Sequence, residues 1–306
     1  MKWHDLVEGG DGFLYGIPYN ANRIVRFHPL DKSLNEIGPD LGDGECKYWS
    51  GILANGSIYC APYRGGKILK ITPVKGGDVQ VDFLDQNLPG CGHGVWLVGA
   101  LAKDGCIYYM PYHNTRHILK LDTNDHDRIS LVGEDLGRKK CLGAILGNDS
   151  CIYVVYEINW NSKKVIRFDP SVESISYIGE DLNEYDNFRG GVLAADGNIY
   201  TANRHGQVLK IDTAKNVCTM IGSKIFTKNN YCGWGPPVLG RNNCIYFPPH
   251  EHDRILKFNP KTQNISLVGS SLGNTHSKWY GAALASDGFI YCIPLLAKQV
   301  LQINES

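Results

Sequence analysis

The 306 residues carry 31 Lys plus Arg against 31 Asp plus Glu, a formal net charge of zero. Phosphate-rich partners demand a basic excess or stripe, so neither nucleic acid nor a membrane is expected as a partner. No stretch approaches the ~18 apolar residues of a membrane span, and Met1-Lys2-Trp3-His4-Asp5 opens no signal-like apolar run, so a soluble, cytoplasmic monomer is expected.

In chain order, one unit recurs. The first copy reads as a strand around Trp3 to Val7, a turn at Asp11-Gly12 and a Leu14-Tyr15 strand. A polar loop follows, then the aliphatic strand Ile24-Val25-Arg26-Phe27 and a more polar strand ending at Ile37-Gly38. The tyrosine returns at Tyr59, Tyr108, Tyr153, Tyr200, Tyr246 and Tyr291, at intervals of 44, 49, 45, 47, 46 and 45 residues. Turn pairs precede it at Asn55-Gly56, Asp104-Gly105, Asp149-Ser150, Asp196-Gly197, Asn242-Asn243 and Asp287-Gly288. An Asp-Gly or Asn-Gly pair between apolar runs signals a hairpin, because tight hairpin turns need positive φ.

Third strands recur at 68–71, 118–121, 165–168, 208–211, 255–258 and 300–303, with a basic residue at one slot in all but the last. That residue is expected to be solvated at the sheet edge. Fourth strands end at Val132-Gly133, Ile178-Gly179, Ile221-Gly222 and Val268-Gly269, and the second copy, near Val79 to Leu84, departs from that ending. First strands such as Gly99-Ala100-Leu101-Ala102 and the Gly190 to Ala194 stretch are rich in small residues, as expected where strands crowd around an axis. The Ile-Tyr strands are apolar on both faces, as expected of sheets sandwiched between neighbours.

Ten cysteines do not read as a disulfide framework. Cys106, Cys151 and Cys244 take the slot before the Ile, and Cys60 and Cys292 the slot after the Tyr, interchangeably with other small residues. Free buried thiols are expected. No Cys-x-x-Cys pair supports a zinc site, and no cofactor is expected.

Four antiparallel strands per ~45-residue unit, seven times over, is the pattern of an all-β, seven-bladed β-propeller filling residues 1–306 as one domain. The Asp-Gly-x-Ile-Tyr…Ile-x-Lys-Ile-Asp rhythm resembles NHL-type and virginiamycin B lyase-like propellers, a likeness of architecture that carries no activity. Only six fourth strands are present before Ser306. Either the last blade has three strands or the chain is a fragment.

In such a fold the loops between strands two and three share a face with the linkers between blades. Those loops open with Pro18-Tyr19, Pro62-Tyr63 and Pro111-Tyr112, where proline presets the turn. At the same offset the later blades carry Tyr156-Glu157, Asn203-Arg204, Pro249-His250 and Pro294-Leu295, and the departures cluster as Glu157, Arg204 with His205, and His250-Glu251-His252-Asp253-Arg254. A carboxylate, a guanidinium and imidazoles can form an anion-binding or acid/base site, or be solvated loop charges. His250 and His252 share a face of an extended strand, but no third metal ligand stands at a recognised spacing. The blade linkers add Tyr48-Trp49, Trp96, Phe188, Trp234 and Trp279-Tyr280, near Lys47, Arg189 or Lys278. These rings serve either to hold a sugar or flat ligand or to plug the gap between blades.

Three functions remain open. The first is a module binding a protein, peptide or small ligand through Tyr19, Tyr63, Tyr112, Glu157, Arg204, His205, His250, His252, Trp49, Trp96, Trp234 and Trp279. The second is a lyase or hydrolase with His250 or His252 as base and Arg204 stabilising an anion. The third is a lectin, which needs equivalent residues in many blades.

Overall fold

In the computed structural model of the protein, the turn aspartate and the tyrosine four residues later form one hydrogen-bonded unit. Asp11, Asp104, Asp149, Asp196 and Asp287 each accept the backbone N–H two residues on with one oxygen. The other oxygen accepts the tyrosine hydroxyl four residues on, at 2.7–3.0 Å. Asn242 reproduces the pattern, its Oδ1 accepting from Cys244 N while its Nδ2 donates to Tyr246 Oη at 2.8 Å. In the second copy, whose turn begins with Asn55, Tyr59 instead donates to Asp127 of the following unit, at 2.8 Å. The turn thus fixes the strand's start and satisfies a buried hydroxyl together.

The structure describes residues 2–64, 66–84, 94–137, 140–156, 164–180, 182, 187–225, 233–273 and 275–305. Among these there is no helix. The strands form six four-stranded antiparallel sheets and one three-stranded sheet, each in sequence order: a seven-bladed propeller. Blade one comprises Trp3–Glu8, Leu14–Pro18, Ile24–Phe27 and Leu34–Ile37, and blade seven Trp279–Leu284, Ile290–Pro294 and Leu301–Ile303. Blades two to six span 48–84, 94–132, 141–178, 192–221 and 238–268. Blade two has a regular fourth strand, Val79–Leu84, despite its unusual ending.

The core lies between blades. One cluster joins Tyr200 and Val208 of blade five to Ile245, Phe247, Leu256 and Phe258 of blade six. The seven repeat tyrosines are all essentially inaccessible, as expected of strands sandwiched on both faces. The eight described cysteines are free thiols, six of them buried.

Two expectations need correction. The first strands of blades five and six shrink to Val192–Leu193 and Val238–Leu239. Gly190 has φ 60°, and Pro236-Pro237 offers no N–H to a ladder. The recurring basic residue is not simply solvated, because it sits opposite the repeat tyrosine. Lys70, Lys120 and Lys257 lie 5.2, 5.6 and 5.3 Å from the ring centroids of Tyr59, Tyr108 and Tyr246, and Lys70 also pairs with Asp127 at 2.6 Å. A half-buried cation over a ring contributes on the order of 0.5–2 kcal/mol.

Blade seven has Gln302 opposite Tyr291. There Lys32 of blade one supplies the cation, 4.7 Å from the Tyr291 ring, hydrogen-bonded to its hydroxyl and 3.2 Å from Asp287. The ring closes through this substitution and through Trp3, Leu6, Val25 and Phe27 packing with Ala283, Tyr291 and Ile293.

Candidate functional site

A buried wedge residue stands near the start of each first strand, a tryptophan in four of the blades. Trp3, Trp96, Trp234 and Trp279 donate their indole N–H to the carbonyls of Arg23, His117, Arg254 and Gln299, at 3.0, 3.1, 2.8 and 2.9 Å. Three of the expected ligand residues, Trp96, Trp234 and Trp279, therefore occupy a scaffold slot, buried and committed to backbone.

Immediately after the wedge the ladder slips. Register shifts occur between Trp3 and Asp5, Tyr48 and Gly51, Cys141 and Gly143, and Trp279 and Ala282. A bulge kinks its strand and re-aims the extra side chain. The bulge slot, read through all blades, holds His4, Trp49, Leu97, Leu142, Arg189, Gly235 and Tyr280. His4 and Trp49 have ring centroids 3.7 Å apart, and His4 is 4.2 Å from Tyr280 and 5.4 Å from Tyr19.

The aromatic wall continues outward. Trp49 lies 5.5 Å from Tyr63, which stacks on Tyr19 at 6.1 Å and meets Tyr112 edge-on at 6.3 Å. Opposite, the Arg189 guanidinium sits 5.4 Å from the Tyr280 ring, and His250 packs edge-on against Tyr280 at 5.5 Å. Behind this mouth is a cavity of about 160 Å³ lined by His4, Asp5, Trp49 and Tyr280 and walled by Gly51, Gly99 and Gly143 of three first strands and by Gly190.

His4 is buried, with Nδ1 3.1 Å from the Trp49 carbonyl oxygen. A carbonyl only accepts, so Nδ1 carries the proton and Nε2 keeps its lone pair. Burial holds the His4 pKa well below the ordinary imidazole value, and the neighbouring Arg189 and His250 push the same way. The ring is therefore neutral at pH 7. Asp5 below it is raised to about 6 by burial, although its oxygens accept the N–H groups of Leu6 at 2.9 Å and Gly51 at 3.2 Å.

The expected residues thus separate. Tyr19, Tyr63, Tyr112, Trp49 and His250 meet at the mouth, joined by His4, Asp5, Arg189 and Tyr280. His252 stacks on the Trp234 wedge at 4.6 Å while His250 faces Tyr280, so the two imidazoles do not converge. Arg204 Nε donates to His205 Nε2 at 3.1 Å within their own loop. Glu157 lies outside the described residues. Among the described residues no three His, Cys, Asp or Glu side chains gather as a metal site would require.

No family model matches the chain, and no curated protein matches it. Solved structures do. A streptogramin B lyase aligns with TM-score 0.75 at 16% identity, over 95% of this chain and 90% of its own. A catalytically inactive variant of virginiamycin B lyase from Staphylococcus aureus, solved with quinupristin, aligns with TM-score 0.76 at 16% identity, over 96% and 92%. Hydrazine synthase of Kuenenia stuttgartiensis aligns with TM-score 0.72 at 12% identity, over 99% and 96%. At these identities the likeness is one of fold.

Proposed function

We propose that this propeller binds a small ligand at its axial mouth: a flat ring or sugar face bearing a carboxylate or similar anionic group. The observation that carries this is the aromatic box around His4, with Arg189 and His250 at its rim. Trp49, Tyr63, Tyr19 and Tyr280 offer ring faces and edges, Arg189 offers planar donors to an anion, and the neutral His4 offers an acceptor. The bulge slot holds seven residues of which only leucine repeats, so the site is asymmetric. A lectin of equivalent pockets has no support in that pattern.

Catalysis in the same mouth is a second reading, favoured by one feature. A neutral imidazole oriented by a carbonyl, beside a guanidinium, is what a general base with an anion stabiliser requires. His4 or His250 then takes the base role, since His252 is stacked on a wedge.

A thermal-shift screen of aromatic carboxylates, sugar acids and neutral sugars tests the binding reading. A ligand that stabilises the wild type should bind Arg189→Ala and His4→Ala at least about tenfold more weakly, since a charge-assisted hydrogen bond contributes ~1.5–3 kcal/mol. Undiminished shifts in both variants would place the ligand elsewhere.

A further inference from the structure

The third strand of blade seven, Leu301–Ile303, is the outermost strand of its sheet, and among the described residues nothing pairs with its outer edge. In the other six blades a fourth strand covers the two aliphatic residues that open strand three. Ile24 and Val25, Ile68 and Leu69, Ile118 and Leu119, Val165 and Ile166, Val208 and Leu209, and Ile255 and Leu256 are all buried. Their counterparts Val300 and Leu301 are both half-exposed.

A second feature lies at the same edge. In four blades the chain leaves strand four through an aliphatic residue, a glycine at φ 74–81° and, three residues further, a leucine: Ile37-Gly38…Leu41, Val132-Gly133…Leu136, Ile178-Gly179…Leu182 and Val268-Gly269…Leu272. The N–H groups of Leu41, Leu136 and Leu272 donate to the carbonyls of Asn22, Arg116 and Asp253 in their own blades, at 2.7, 2.9 and 2.7 Å. Blade seven presents Lys298 at that slot, one residue before the Gln299 carbonyl that caps the Trp279 wedge. Lys298 is exposed and lines a surface cavity of about 670 Å³ with Leu272, Trp279, Leu296 and Gln299.

The charge at that slot indicates the occupant. In blade three, Arg116 pairs at 2.7 Å with Asp135, the residue just before the docking leucine. Lys298 is the cation in the same position, and among the described residues no ion pair engages it.

We propose that the outer edge of blade seven docks an extended segment of a partner polypeptide as a fourth strand. The segment carries an aliphatic-Gly step followed by an acidic residue and a leucine, with the acid facing Lys298 and the leucine entering the cavity. Backbone pairing supplies affinity, and the glycine, acid and leucine supply selectivity. Such a strand covers Val300 and Leu301 and removes an open edge, which proteins otherwise guard against.

The chain's own blade-three segment is the probe. A labelled synthetic peptide of residues 128–137, Arg128–Gly137, is titrated into the full chain and read by fluorescence anisotropy, with a scrambled peptide as control. Saturable one-to-one binding is expected, weakened about tenfold when the peptide's leucine becomes alanine, from lost apolar burial. Lys298→Glu in the protein should weaken it about three- to tenfold, because it turns a surface attraction into a repulsion. Appending residues 125–137 directly after Ser306 continues the register of blade three, where Leu121 holds the place of Ile303. That extension should raise Tm and abolish peptide binding. Binding no better than the scrambled control, an extension that leaves Tm unchanged, or a dimer of the unextended chain that excludes the peptide would each overturn the proposal.

Discussion

Gly281→Val is expected to destabilise the protein by about 3 kcal/mol or more, the upper end of what overpacking costs. A Cβ at Gly281 falls 2.6 Å from Asp5 Cα and 2.8 Å from Leu6 N. Both are backbone atoms of blade one, so no flexible side chain can move aside. The position joins the last blade to the first. No shared strand spans that seam among the described residues, so closure rests on first-strand packing and on Lys32 with Asp287 and Tyr291. Forcing the strands apart opens the seam and the cavity beside it together. Urea denaturation measures the effect, with Gly44→Ala as control, because a Cβ there meets nothing closer than 3.7 Å and its φ is not positive. A Gly281→Val protein within about 0.5 kcal/mol of wild type would mean that the seam does not hold the ring.

Asp5→Asn should change how stability depends on pH. Burial pushes the folded Asp5 carboxyl up to about 6, well above the ordinary carboxylate value near 3.8. For an acid with a raised folded pKa, the native state binds more protons than the unfolded state between those two values. This contribution to stability is therefore intact in acid and is lost as pH rises through about 4 to 6. The advantage of wild type over Asp5→Asn should accordingly fall by about 2 kcal/mol between pH 4 and pH 7. The comparison is a difference of differences, so it is unaffected by any fixed cost of turning the Asn amide toward the Gly51 N–H. His4, whose folded pKa is depressed, acts with the opposite sign below about 6.5, but it is common to both proteins and cancels. An advantage constant with pH would mean that Asp5 is ionised normally in the cavity. A carboxylate that costs stability at neutral pH beside a neutral histidine is the kind of arrangement that accumulates at functional sites.

The repeat was legible because its chemistry is local. Asp196-Gly197, Ile199 and Tyr200 lie within five residues, and the hydrogen bonds that tie them are contained in that span, so the sequence pattern is the structural unit. The wedge tryptophans were ambiguous because an aromatic residue at a linker reads the same whether its N–H faces a ligand or the carbonyl 20 residues later. His4 was missed for a related reason. Its role comes from a bulge that re-aims it toward Trp49 and Tyr280, 45 and 276 residues away, and no local signal carries that. The column after the wedge, His4, Trp49, Leu97, Leu142, Arg189, Gly235 and Tyr280, holds the signal, because it follows no consensus whereas the wedge column before it is aromatic in all but Cys141. The Lys32 closure was likewise hidden, since Gln302 in place of a cation marks the position but not its substitute from blade one.

Tryptophan emission tests the axial site most directly. Among the described residues Trp49 is half-exposed at the mouth, whereas Trp3, Trp96, Trp234 and Trp279 are buried wedges. The sixth tryptophan, Trp160, lies outside the described residues, so both proteins compared carry Trp160→Phe. A ligand that raises Tm in the screen should perturb the emission of the protein that keeps Trp49 and leave that of Trp49→Phe unchanged at the same concentrations. If the full perturbation persists in Trp49→Phe, the ligand sits away from the mouth, and the His4, Arg189 and Tyr280 box is not the binding site.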